Sequence, residues 1–194
     1  MSKSFCFCGI VGLLTLGTII AAQEKLVTKP TIASELDSQL GALESDFVSL
    51  AEAMPENQYS YAPTTGEFKG VRTFAQEVKH VAFANHLFFS AIVGEKAEAG
   101  PGREGPQSIR TKAEILRYLR ESFALGHRAI GTITPDNAVT IVENAPVPRF
   151  KTRLAMATHA CAHAYDHYGQ LVEYLRANGI VPPASGTQST ASRP

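Results

Sequence analysis

Six histidines stand in this chain of 194 residues, and three of them, His159, His163 and His167, recur at four-residue steps in the string THACAHAYDHYGQL. On a helix, positions four apart differ by about 40° around the axis, so the three share a face about 80° wide. Two imidazoles one turn apart on one face can reach the same divalent ion, the logic of zinc-binding HExxH helices. The spacing alone leaves two pairs open, His159 with His163 or His163 with His167. One helix does not easily close a coordination sphere, so a ligand from a facing helix is needed. His80 has suitable surroundings: it shares a face with Phe83, Ala84 and Leu87, where an unpartnered imidazole is costly to bury. His86 lies about 120° around that helix from His80 and does not share its site. His127, near the end of another helical segment, suits a helix C-terminus, in a structural or solvated role.

Other patterns limit the chemistry. Glu77 and His80 form a Glu-x-x-His motif, but the second such motif that di-iron bundles require is missing, so a two-metal ferritin-like centre is not expected. The Cys-x-x-Cys-His signature of covalently attached haem is missing too. Cys161 sits about 200° from both His159 and His163 and reads as a small packed residue. Asp166, about 100° from His167, points elsewhere. Glu77, one turn before His80, and Tyr59, Tyr61 and Tyr168 are the candidate acids, bases or caps, and no catalytic residue is assigned. Three neutral ligands leave a position for water or substrate, the pattern of a catalytic metal. Such an ion lowers the pKa of bound water or takes a thiolate. Three imidazoles suit zinc or nickel, with iron and manganese as further candidates.

Four helical segments must position these groups. The first spans roughly 31–54, with Leu36, Leu40, Leu43, Phe47, Leu50 and Ala51 in one apolar stripe. A second, roughly 71–93, carries Phe74, Val78, Val81, Phe88 and Ile92, interrupted by Asn85, and ends at Gly94. A second apolar row there, Phe83, Ala84, Leu87 and Ala91, marks burial on more than one side. A third, roughly 112–132, turns Ile115, Leu116, Leu119, Phe123, Leu125 and Ile130 inward. The fourth and longest, about 150–178, ends at Gly179 before Pro182-Pro183. The run Val139-Thr140-Ile141-Val142 makes a small strand or lies extended. The expected fold is all-α, a four-helix bundle over 31–183 with a long crossover connection, followed by a disordered tail at 184–194.

Residues 1–22 read MSKSFCFCGIVGLLTLGTIIAA: one lysine, an apolar run, then small residues before polar Gln23-Glu24-Lys25. That is the order of a secretory signal, so the expected location is periplasmic or extracellular; a retained N-terminal anchor is the second reading. Removal of the signal takes Cys6 and Cys8 with it and leaves Cys161 alone, so stability must come from the core and not from disulfides. Apolar residues make up 44% and charged residues 19%, a globular composition, and 18 basic residues balance 18 acidic ones. Without a basic surplus nucleic acid is not expected as a partner, and no membrane contact is expected beyond the signal segment.

Several strings taken together resemble the DinB-like (DinB/YfiT) family of metal-binding four-helix bundles, over roughly 34–185. They are Ala53-Met54-Pro55 ahead of a Tyr-containing loop, Phe74-Ala75-Gln76-Glu77-Val78-Lys79-His80-Val81-Ala82, Lys112-Ala113-Glu114-Ile115 and His163-x-x-x-His167-Tyr168-Gly169-Gln170-Leu171. The most specific is Tyr174-Leu175-Arg176-Ala177-Asn178-Gly179-Ile180-Val181-Pro182-Pro183. The resemblance implies one divalent ion held by His80, His163 and His167. It leaves His159 as a neighbouring residue, and Gln170 as one close enough in angle to bond a ligand or bound water, with Glu77 the third supporting candidate. It also implies transferase or isomerase chemistry with small thiols and a homodimer, while the open metal position admits hydrolysis of a small molecule, which the expected export favours slightly over thiol transfer. The expectation is therefore an exported metal-dependent enzyme, against the alternatives of a non-catalytic metal- or ligand-binding bundle and of a structural dimer with incidental histidines.

Overall fold

Four threonines set where the long helices begin. In the computed structural model, which describes residues 29–97 and 102–188, these helices are α1 (Ile32–Ala53), α2 (Phe74–Val93), α3 (Lys112–Gly131) and α4 (Arg153–Ala177). Thr31, Thr73 and Thr111 each accept the backbone N–H three residues on, and Ser34, Gln76 and Glu114 return a bond to the cap's own N–H. These reciprocal boxes satisfy N–H groups that the first helical turn leaves orphaned. Thr152 caps α4 through the N–H of Ala155. α2 and α4 therefore start at Phe74 and Arg153, three residues later than periodicity alone placed them. Gly94 closes α2 in the left-handed region, φ +76°.

α1 packs beside α3 and α4, and α2 beside the same two, so the chain crosses the bundle diagonally from α1 to α2 and again from α3 to α4. A 3-10 turn, Glu56–Gln58, lies on the first crossing. Lys112 holds the end of α1 by donating to the carbonyls of Glu52 and Met54. The second crossing contains the Val139–Val142 run, which forms no regular strand: Ile141 makes one isolated bridge to Thr152. After α4, Pro183–Gln188 forms a short helix, α5, against α1, so the expected disordered tail 184–194 is helical at its start. Residues 189–194 and the expected signal segment 1–22 lie outside the described residues. Among the described residues no helix is long and apolar enough to cross a membrane.

The expected stripes form the core, with Phe47, Phe74 and Phe123 wholly buried, but Leu87 and Ala91 of the second α2 row are only half-buried. Phe89, which belonged to neither expected row of α2, is wholly buried as well. The glycine at position 126 makes room for it: a Cβ there would meet Leu40 Cδ2 and a Phe89 ring carbon at 2.8 Å. Asn85, the polar break in the α2 stripe, is buried and donates to Ser122 Oγ on α3. That bond offsets the cost of its desolvation.

His127 joins α3 to α1. Its Nδ1 lies 2.5 Å from Asp37 and its Nε2 3.0 Å from Glu44, so both ring nitrogens donate and the bridge favours the imidazolium. Burial opposes that charge, but the two carboxylates prevail and raise the histidine's pKa above its ordinary value. A pKa raised by folding gives stability that is complete below the unfolded value, near 6.5, and disappears as pH rises through the folded one. His127→Gln is expected to cost about 0.5–1 kcal/mol at pH 6 and clearly less at pH 9, read from urea midpoints. An equal cost at both pH values contradicts the charged bridge.

Candidate metal centre

The adjacency of α2 and α4 brings His80 against the histidine face of α4. Nε2 of His163 lies 3.2 Å from Nε2 of His80 and 3.2 Å from Nε2 of His167, and one nitrogen from each ring falls within 4.8 Å of the others. His80 and His167 are buried and His163 is half-buried.

The outer nitrogens decide which way the lone pairs point. His80 Nδ1 lies 2.6 Å from the carbonyl oxygen of Arg103, which can only accept, so the proton of the neutral ring is on Nδ1 and its Nε2 lone pair faces inward. His167 Nδ1 lies 2.8 Å from Glu77 Oε2, and neither atom has another hydrogen-bond partner. The same reasoning turns the Nε2 lone pair of His167 inward. His163 has one proton to give in its neutral form, and its buried Nδ1 has no partner. At most one of the two inward-facing lone pairs is thus satisfied by His163, and a cation satisfies all three nitrogens together. Separations of 3.2 Å also match the spacing of about 3.3 Å set by tetrahedral Zn–N bonds of about 2.0–2.1 Å. The arrangement is compatible with binding one metal ion.

The electrostatics keep His80 and His163 in the form a metal requires, deprotonated. Burial pushes the His163 pKa down to about 3, helped by the neighbouring His167 and His80 rings. Burial also lowers that of His80, and nearby Arg72 and His167 add to the effect, outweighing the opposing bond to the Arg103 carbonyl. Glu77 is only 4% exposed, and burial by itself would raise its pKa. The hydrogen bond from His167 Nδ1, with Arg72 3.8 Å away, instead holds the carboxyl below its usual range. Arg72 is held in turn by Glu104 at 2.7 Å.

Around this centre the expected residues divide. Glu77 touches His167 directly, in the outer position where a carboxylate orients a metal-binding imidazole. His159 is a neighbour of the centre, its ring 6.1 Å from that of His163 and stacked on Phe150 at 4.0 Å. Gln170 does not join them: on the exposed side of α4 its amide donates to Asp166, one turn back, which corrects its expected role. Tyr59 is also displaced from a capping role, since its hydroxyl donates to the Ala51 carbonyl and its ring packs on Phe74. Tyr168 packs against Phe47, and Tyr61 against Tyr174. His86 stacks on Tyr118, away from the centre. Cys161 is buried, which pushes its thiol up to about 11. The Arg103 carbonyl escaped the sequence reading, because a backbone acceptor in a Gly- and Pro-rich connection carries no side-chain signal.

This helical frame agrees with the comparisons. The DinB superfamily profile matches residues 39–171, and the chain belongs to that superfamily. Among solved structures, a DinB-like protein from Bacillus subtilis is similar at 20% identity and a TM-score of 0.55, covering 75% of this chain and 92% of its own. A conserved protein from Enterococcus faecalis gives 16% identity and a TM-score of 0.59, with 76% and 97% covered. An uncharacterised protein from Escherichia coli UTI89 gives 16% and 0.57, with 78% and 96% covered. At these identities the likeness is one of fold. No curated protein matches the sequence.

Glu77→Gln tests the orienting contact. The amide can still accept a bond from Nδ1–H but lacks the charge that raises ligand basicity. Zinc affinity, measured by competition with a chromophoric chelator, is expected to fall about 10- to 100-fold. Unchanged affinity in a folded variant contradicts the role given to Glu77.

Proposed function

We propose that this protein is an exported metal-dependent enzyme that acts on a small molecule through one divalent ion held by His80, His163 and His167. The observation that carries this reading is the convergence of three Nε2 atoms, two of which have their outer nitrogens engaged by the Arg103 carbonyl and Glu77. Zinc or nickel suits three neutral imidazoles, and three ligands leave a position open for chemistry. When bound, such an ion supplies Lewis acidity for activating water or holding a thiolate.

The chain's own residues prepare that position. Glu77 and the Arg103 carbonyl fix two tautomers, so those rings need not reorient when an ion arrives. Phe88 stands edge-on to His163 with ring centres 6.1 Å apart and limits water on that side. The proposed export favours hydrolysis over thiol transfer, because intracellular cosubstrate thiols are scarce outside the cytoplasm. One feature favours the second reading, a non-catalytic metal- or ligand-binding bundle: Glu77, the carboxylate touching the centre, is committed to His167 and Arg72 and is not free to act as a base.

The test is turnover by untagged protein loaded with zinc or nickel, on a panel of small esters, amides and phosphoesters and on thiol addition to an electrophile. Hydrolysis lost on chelation, restored by the ion and lost in His163→Ala is the expected result. Metal-loaded protein that accelerates none of these reactions overturns the enzyme reading in favour of the binding one.

A further inference from the structure

The half-buried ring of His163 is the exposed side of the centre, and an aromatic wall continues from it. Phe88 meets His159 edge-on with ring centres 5.1 Å apart, and His159 stacks on Phe150. Arg149 places its guanidinium 5.8 Å from the centre of the Phe150 ring. On another side stands Arg103, whose backbone carbonyl holds His80 and whose charge acts on His163.

The charges around this opening do not balance. The nearby carboxylates Glu77 and Glu104 are already taken by His167 and Arg72. Neither Arg103 nor Arg149 has a carboxylate partner among the described residues, and both are exposed. Two unpaired guanidinium groups beside a centre of neutral imidazoles repel cations, and a divalent ion in that centre adds to the imbalance. An anionic ligand relieves it. Guanidinium groups fit carboxylates and phosphates through paired N–H bonds, and the His159–Phe150 stack offers an apolar surface beside Arg149.

We propose that the histidine centre opens onto a subsite for a small oxyanion-bearing molecule, whose carboxylate or phosphate is held by Arg149, with Arg103 adding positive charge from the other side, and whose apolar part lies on the half-buried His159–Phe150 stack. This deepens the enzyme reading and rests on it for the location of the reacting group. It narrows the substrate class to acids and excludes cationic compounds.

Calorimetric titration of zinc-loaded protein with benzoate, phenyl phosphate and neutral benzamide tests the subsite. The two anions are expected to bind at least about 10-fold more tightly than benzamide, and their order separates a carboxylate site from a phosphate site. Arg103→Met/Arg149→Met is expected to remove that preference and leave benzamide binding unchanged. Arg117→Met, a remote cation on α3, is expected to alter neither. Because both arginines are exposed, the double variant keeps the fold, which circular dichroism checks. Equal binding of anions by wild type and double variant, with zinc content unchanged, overturns the subsite and leaves the metal reading standing. Should the protein take no zinc, the metal reading fails, and the same titrations on metal-free protein decide the subsite by the same arginine dependence.

Discussion

Two hydrogen-bond acceptors, the Arg103 carbonyl and the Glu77 carboxylate, hold protons on the outer sides of His80 and His167. Everything particular to the centre follows from that allocation. With the outer nitrogens protonated, lone pairs face inward, and the His163 nitrogen between them cannot satisfy both. Packing three neutral imidazoles this way in a folded interior is costly unless something positive joins them. Apolar surroundings sharpen the effect by suppressing protonation, the other means of relieving it, as the depressed His163 pKa shows.

The bundle exists in a form that makes this allocation possible. α2 and α4 are spatial neighbours although α3 lies between them in the chain, and the diagonal crossings at both ends of the sequence produce that adjacency. Glu77 and His80 sit one turn apart on α2, while His163 and His167 sit one turn apart on α4, so two helix faces supply both the imidazoles and the carboxylate. The connection after α2 supplies the Arg103 carbonyl. Rigid helices thus carry the side chains, and one loop backbone group supplies the last constraint.

Much of this arrangement is legible in the sequence, because helical periodicity converts spacing into direction. A step of four residues from His163 to His167 places them on one face, and the apolar neighbours of His80 point it inward. Glu77, three residues before His80, was identifiable by the same rule. Angle alone failed for Gln170, which bonds to Asp166 within its own helix, and loop position failed for Tyr59, whose hydroxyl donates to a backbone carbonyl inside the core. The threonine caps moved two helix starts that periodicity placed too early. Phe89 escaped because its burial depends on the space left by a glycine on another helix, Gly126. The Arg149–Phe150–His159 wall depends on how the second crossing meets α4, a tertiary fact that no local pattern encodes.

Elemental analysis of untagged protein, beside a His163→Ala/His167→Ala variant of matched helicity, addresses the central claim most directly. About one zinc or nickel ion per wild-type chain is expected, and essentially none in the variant. No bound ion in either protein after incubation with zinc, nickel and manganese, with the fold intact, would contradict that claim.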